Sequence, residues 1–173
     1  MTFFGLHTGL QNTTVDELRR LWRSAESLGF DWISIWDHFY AADGAGYHCL
    51  EAVAAHAALA CTTDRVRIGS LVYCAGYRHP AVLANAIATI DHLSGGRTEL
   101  GLGAGWSQAE YDAYGIPFGT PVQRLDLLEE YARVVRSLLR SETTDHRGEH
   151  FALTDARCEP RPLQPSLPIW IGG

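Results

Sequence analysis

The sequence predicts an α/β protein built on a parallel sheet covered by helices. Short apolar runs alternate with segments of helical periodicity along the chain. The first four runs start near residues 3, 32, 66 and 98, about 29 to 34 residues apart, the length of a strand–helix–strand crossover. The 173 residues, 46% hydrophobic and 20% charged, suffice for one domain with a substantial core. Two architectures satisfy this pattern, a doubly wound open sheet and a TIM-type (β/α)8 barrel. A complete barrel takes about 250 residues and eight strands. The barrel reading therefore implies an incomplete barrel, with only the first five strands present.

Local signals justify each element in turn. Residues 3–8 form a short apolar run, the first strand. Thr14 and Glu17 have the spacing of a capping box. Val15, Leu18, Leu21, Trp22, Ala25 and Leu28 continue at helical spacing to Gly29, which suits the left-handed position after a helix. Residues 32–36 are the second strand and end at Asp37-His38. An alanine-rich helix over 50–61 and a third strand over 66–72 follow. Pro80 suits a helical first turn, Leu83, Ile87 and Ile90 form that helix's buried stripe, and Gly95-Gly96 stops it. Residues 99–103 are the fourth strand, 108–114 a short helix and 122–139 an amphipathic one. Within the polar, proline-bearing segment 141–167, residues 148–153 read as a hairpin arm. Residues 169–171 make the fifth strand, before Gly172-Gly173, and the whole of 1–173 reads as one domain.

Composition removes several function classes. Fourteen Lys and Arg against 20 Asp and Glu give a net charge of −6 with no basic run, which argues against nucleic-acid or anionic-membrane partners. No apolar stretch has the length of a membrane helix, and the N-terminus lacks the features of a signal peptide. Cys49, Cys61, Cys74 and Cys158 show no C-x-x-C spacing and read as free thiols of a cytoplasmic protein. The eight histidines show no metal-ligand spacing, so no metal site is expected.

In both architectures ligands gather at the carboxyl ends of parallel strands. Those ends carry His7, Asp37-His38, Leu71-Val72-Tyr73, Gly103-Ala104-Gly105-Trp106 and Gly172-Gly173. Any one of these glycines alone is adequately explained as a turn former. Gly101-x-Gly103-x-Gly105 fails as a dinucleotide fingerprint: the last glycine would fall at 106, where Trp106 stands, and the fingerprint belongs to the first turn. Asp37-His38 is the acid–imidazole pair at a strand end, and a histidine exchanges protons near neutral pH. A capped loop residue is the plain alternative, and residue chemistry weighs the two evenly. His56 and His92 read as packing or surface residues, His79 as lying near an N-cap, and Glu110 and Glu129 as structural helix charges.

Six segments in order carry a resemblance. They are Ala25-Glu-Ser-Leu-Gly-Phe-Asp-Trp-Ile-Ser-Ile-Trp-Asp-His-Phe39; Asp64-Arg-Val-Arg-Ile-Gly-Ser-Leu-Val72 with Arg78-His-Pro80; Asp91-His-Leu-Ser-Gly-Gly-Arg97; Gly101-Leu-Gly-Ala-Gly-Trp106; Tyr114-Gly-Ile-Pro117; and Pro168-Ile-Trp-Ile-Gly-Gly173. Together they resemble the bacterial-luciferase-like superfamily, and most closely its branch using the 8-hydroxy-5-deazaflavin coenzyme F420. The resemblance implies a luciferase-like (β/α)8 barrel whose strands six to eight lie outside this chain. It implies an oxidoreductase passing hydride between the deazaflavin and a small organic substrate, and a homodimer is compatible with it. His38 matches the histidine facing the reactive centre of the ring, with Asp37 beside it. Leu71-Val72 matches a bulge with a non-proline cis peptide that backs the ring. Gly103, Ala104, Gly105 and Trp106 match the turn lining the coenzyme, and Gly172 and Gly173 begin a backbone contact to its phosphate or ribityl chain. Where the sugar-phosphate dehydrogenase branch carries a catalytic glutamate, this sequence has Trp106, an aromatic wall suited to an apolar or planar substrate.

The competing readings are an FMN-dependent monooxygenase using reduced flavin and oxygen, and a non-catalytic flavin-binding or assembly protein. A nicotinamide-dependent doubly wound enzyme would need a fingerprint after the first strand, and Gly9-Leu-Gln-Asn-Thr does not supply it.

Overall fold

The computed structural model describes residues 2–41 and 46–172. In chain order the elements are β1 (Gly5–Thr8), α1 (Val15–Ser27), β2 (Trp32–Ile35), α2 (Ala52–Thr62), β3 (Arg67–Ser70), β4 (Tyr73–Cys74) and α3 (Pro80–Ser94). They continue with β5 (Thr98–Gly103), α4 (Gln108–Tyr114), α5 (Pro121–Arg140), β6 (Thr144–Arg147), β7 (Ala152–Ala156) and β8 (Ile169–Gly172).

The helix starts follow the local chemistry. Glu17 N–H donates to Thr14 Oγ1 while Glu17 accepts from the Thr14 amide, a complete capping box on α1. Pro80 opens α3 behind His79, whose side chain accepts from the Ala81 amide. A second capping box, Thr120 with Gln123, opens α5 with Pro121 in the first turn. Gly95 stops α3 in the left-handed conformation, φ 67°.

Sheet order decides between the two architectures. β1, β2, β3, β5 and β8 pair in parallel and in chain order. A doubly wound sheet would reverse its order at a switch point; here there is no reversal. Helices α1, α2, α3 and α5 pack in succession as one layer rather than on both faces. This is the arrangement of five consecutive barrel strands.

The third strand, expected as continuous over 66–72, is interrupted. β3 pairs with the start of β5 and β4 with its end, and between them the Leu71–Val72 peptide is cis. The hairpin arm is longer than residues 148–153: β6 and β7 flank that turn and pair antiparallel.

Residues in register on neighbouring parallel strands share a face. Ile33, Ile35, Ile68, Leu100 and Leu102 face the helices and are fully buried among Leu59, Leu83, Ile87, Val135 and Leu138. The other face carries Trp32, Arg67 and Glu99 near its base, where Glu99 pairs with Arg67 and accepts from the Trp170 indole at 2.9 Å. At the base of the helix layer, Arg97 donates to the carbonyls of Ala60, Thr63, Val66 and Ser94, tying α2, β3 and α3 together. Among the described residues no helix is long and apolar enough to cross a membrane.

Candidate active site at the carboxyl ends of the strands

The strand ends converge on a cleft of about 480 Å³. Its lining includes Trp36, Asp37 and His38 after β2, Leu71 and Val72 at the interruption, Gly103–Trp106 after β5, and Gly172 on β8. His38 and Trp106 were expected to share one cleft, and their rings meet edge-on with centroids 5.2 Å apart. Trp36 also meets His38, at 5.6 Å, and His7 meets Trp36 at 6.0 Å. His7 Nδ1 also lies 2.8 Å from Ser34 Oγ on the inner face of the sheet, and burial lowers its pKa. Gly173 lies outside the described residues.

Asp37 and His38 each hydrogen-bond to a different partner. The Asp37 carboxylate receives both Arg78 guanidinium nitrogens, at 2.7 and 2.9 Å, and the Cys74 amide at 2.9 Å. Only 5% of Asp37 is exposed. Successive residues leaving a strand diverge, so Asp37 turns into the protein while His38 turns to the cleft. The bidentate fork ties the chain after β2 to the segment leading into α3, and the Cys74 amide ties it to β4.

His38 is paired instead with Glu110 of α4. Its Nδ1 lies 2.8 Å from Glu110 Oε2. The same carboxylate accepts from the Tyr77 hydroxyl at 2.8 Å and from the amides of Phe39 and Tyr40 at 2.6 and 2.9 Å. Glu110 is 2% exposed. Burial pushes its carboxyl up, but the bonds from His38, the Tyr40 amide and Tyr77 outweigh that and hold it below its ordinary value. Tyr77 moves the opposite way: burial, then its bond to Glu110, pushes its hydroxyl up and keeps it a donor.

Glu110 is thus no plain helix charge. Local sequence misdirects here, because Ser107 and Glu110 have the spacing of a capping box. In the structure Ser107 makes no side-chain cap, and Glu110 turns inward to satisfy donors 70 to 72 residues earlier in the chain. His56 and His92 match expectation. The first is buried with Nδ1 3.0 Å from the Tyr73 hydroxyl, and burial lowers its pKa to about 4. The second is exposed, 2.7 Å from the Arg161 carbonyl.

The cleft's floor is Val72 laid across glycine backbone. A Cβ at Gly172 would come within 2.7 Å of Val72 Cγ1, and one at Gly103 would overlap Val72 Cγ2. These two glycines therefore make room for a protein side chain. Gly105 takes φ 80°, and Arg124 holds its turn by donating to the Gly105 carbonyl at 3.1 Å. Trp106, 65% exposed, stands over the cleft as a wall.

Comparison with known proteins matches the luciferase-like monooxygenase family over residues 1–173. An F420-dependent glucose-6-phosphate dehydrogenase of Amycolatopsis mediterranei is 36% identical over 148 residues, 85% of this chain and 44% of that protein. Pyrimidine monooxygenase RutA of Klebsiella pneumoniae is 36% identical over 127 residues, 72% of this chain and 35% of that protein. An F420-dependent secondary alcohol dehydrogenase, solved in complex with an F420–acetone adduct, superposes with a TM-score of 0.88 at 25% identity, over 99% of this chain and 52% of that one. The chain spans about half or less of the length of these proteins.

Proposed function

Since the chain belongs to the luciferase-like monooxygenase family, whose members include F420-dependent and flavin-dependent enzymes, we propose that its cleft is the ring-binding and proton-transfer site of a deazaflavin-dependent oxidoreductase. The observation that carries this reading is the meeting of His38, Trp106 and the Leu71–Val72 segment at one set of strand ends.

The residues fit a flat, electron-rich ring. Val72 on its glycine bed and Ala104 supply an apolar floor, while Leu71 and Trp106 supply walls. Asp37 on the cleft's lining and Glu110 behind His38 are both hydrogen-bonded to protein donors. Among the described residues of the cleft's lining, no uncompensated anion is left to repel the ring. Leu71, Val72, Gly103, Ala104, Gly105 and Trp106 would hold it, with Gly172 at the far edge; Gly173 extends this proposal beyond the described residues.

When bound, a deazaflavin supplies two-electron hydride transfer. His38 gives or takes the accompanying proton, within reach of a substrate placed against Trp106. Asp37, rather than acting on substrate, anchors the strand end through Arg78 so that His38 keeps its direction. Trp106 offers an aromatic face in place of a carboxylate. That favours a small apolar or planar alcohol or carbonyl compound over a sugar phosphate. The similarity to pyrimidine monooxygenase favours a second reading, an FMN-dependent monooxygenase built on the same cleft.

The test supplies reduced F420 and reduced FMN in turn to the full protein with a panel of small carbonyl substrates, under nitrogen and under air. Turnover with F420 that needs no oxygen is expected. His38→Ala should lower it about 10²–10⁴-fold, the usual worth of acid–base help, with coenzyme affinity kept. Turnover only with reduced FMN and oxygen would replace the deazaflavin reading by the monooxygenase one, and full turnover in His38→Ala would remove His38 from the chemistry.

A further inference from the structure

We propose that Glu110 is the positioning residue that sets the tautomer of His38, keeping the proton on Nδ1 and leaving Nε2 as the bare acceptor. The inference rests on the proposed site for its meaning, though not for its test.

Four donors surround one buried carboxylate. The Phe39 and Tyr40 amides are obligatory donors and take Oε1. Oε2 meets the Tyr77 hydroxyl and His38 Nδ1. An ionised carboxylate accepts and cannot donate. Glu110 is held ionised at neutral pH, because its hydrogen bonds outweigh the effect of burial. The hydrogen in the His38–Glu110 bond must therefore come from Nδ1. In the neutral imidazole that leaves Nε2 without a proton.

Among the described residues no neighbouring charge competes for that proton. Asp37, next in chain, is bound to Arg78 and the Cys74 amide. The Cys74 thiol, pushed up by burial, lies 2.9 Å from the Tyr111 hydroxyl. Cys49, which feels both Glu110 and Asp37, is pushed up to about 11, chiefly by burial. Tyr77 is held as a donor. Trp36 and Trp106 both meet the imidazole edge-on, with ring centroids 5.6 and 5.2 Å away.

The consequence is chemical. A neutral imidazole with Nε2 bare is ready to take a proton from a substrate hydroxyl, and once charged it stays beside its carboxylate. The reverse tautomer would present an N–H to that hydroxyl and could not act as its base.

Glu110 also caps the turn at residues 39–40, so truncation would mix two effects. Glu110→Gln separates them. Its carbonyl oxygen still accepts from both amides, while its NH₂ group presents hydrogens to Nδ1 and requires Nδ1 to be the acceptor. The experiment is NMR of the protein labelled with ¹⁵N-histidine, without coenzyme, with the His38 signal assigned by its loss in His38→Ala. At a pH where His38 is neutral, wild type is expected to show a protonated Nδ1 and a bare Nε2. Glu110→Gln is expected to show the opposite tautomer. Tyr77→Phe, which removes the other donor from Oε2, is expected to keep the wild-type pattern. A wild-type His38 protonated at Nε2, or a tautomer unchanged in Glu110→Gln, would overturn the assignment. Should Glu110→Gln fail to fold, the wild-type and Tyr77→Phe spectra decide alone. An inactive enzyme with the expected tautomer would count against the proposed function and leave the role of Glu110 standing.

Discussion

Val72 is held by what its neighbours lack. Its two methyl groups occupy the volume that side chains at Gly103 and Gly172 would fill, and Gly101 lies under the Ser70 carbonyl in the same way. A valine has little rotamer freedom with which to yield, and a backbone carbonyl has less. Gly101→Ala would place its Cβ on Ser70 O, whereas Gly103→Ala would overlap a Val72 methyl and come 3.3 Å from the Gly172 carbonyl. Overpacking costs about 1–3 kcal/mol. Gly101→Ala should sit at the upper end of that range and Gly103→Ala at the lower. Urea unfolding of both variants checks the order; equal or reversed losses would refute the packing account.

Among the elements, the turn of the β6–β7 hairpin is fastened by one side chain of α5, while Ser137 of α5 reaches Thr144 of β6. Glu130 accepts from the amides of Glu149, His150 and Phe151 at 3.1, 3.0 and 2.9 Å and lies 2.9 Å from His146 Nε2. Burial raises its carboxyl, but the bonds from His146 and the turn prevail and lower it from 4.5 to about 2. A carboxyl whose folded value lies below its unfolded one stabilises the fold above the unfolded value and loses that contribution as pH falls. The contribution is therefore complete above pH 4.5 and fades towards pH 2. Glu130→Ala should lower stability by about 1–3 kcal/mol at neutral pH, and the gap from wild type should close through that acid window. A gap that stays constant down to pH 2 would show that packing, not charge, fastens the hairpin.

For the molecule as a whole, the helix-facing side of the sheet is fully buried while both outer strands carry exposed apolar side chains. Phe3 and Phe4 are 76% and 64% exposed beside β1, and Trp170 and Ile171 are 55% and 62% exposed on β8. Exposed apolar surface of this kind on a sheet edge favours pairing with another chain. Residues 1–173 produced as a separate polypeptide should self-associate at micromolar concentration, and Ile171→Lys should weaken that association without lowering helix content. Sedimentation velocity with circular dichroism checks this; a strictly monomeric polypeptide at tens of micromolar would refute it.

Local chemistry by itself determined the parallel strands in outline, the helices, the caps of α1 and α3 and the strand ends at which a site had to form. It did not determine the break in the third strand or the extent of the β6–β7 hairpin. Thr14 with Glu17, Pro80, and Gly95 with Gly96 act within one helical turn, so their effect is readable without the rest of the chain. The resemblance of residues 64–72 to a known family located the cis peptide at Leu71–Val72, for which no local propensity speaks. Tertiary structure decided the barrel order of the sheet and the pairing of the site's charges. Asp37 found Arg78 across 41 residues and His38 found Glu110 across 72, neither in the pairing that adjacency suggests. The physical reason is that a buried carboxylate takes whichever donors the packed strands and helices bring to it, and those donors are set by the fold as a whole rather than by neighbours in the chain.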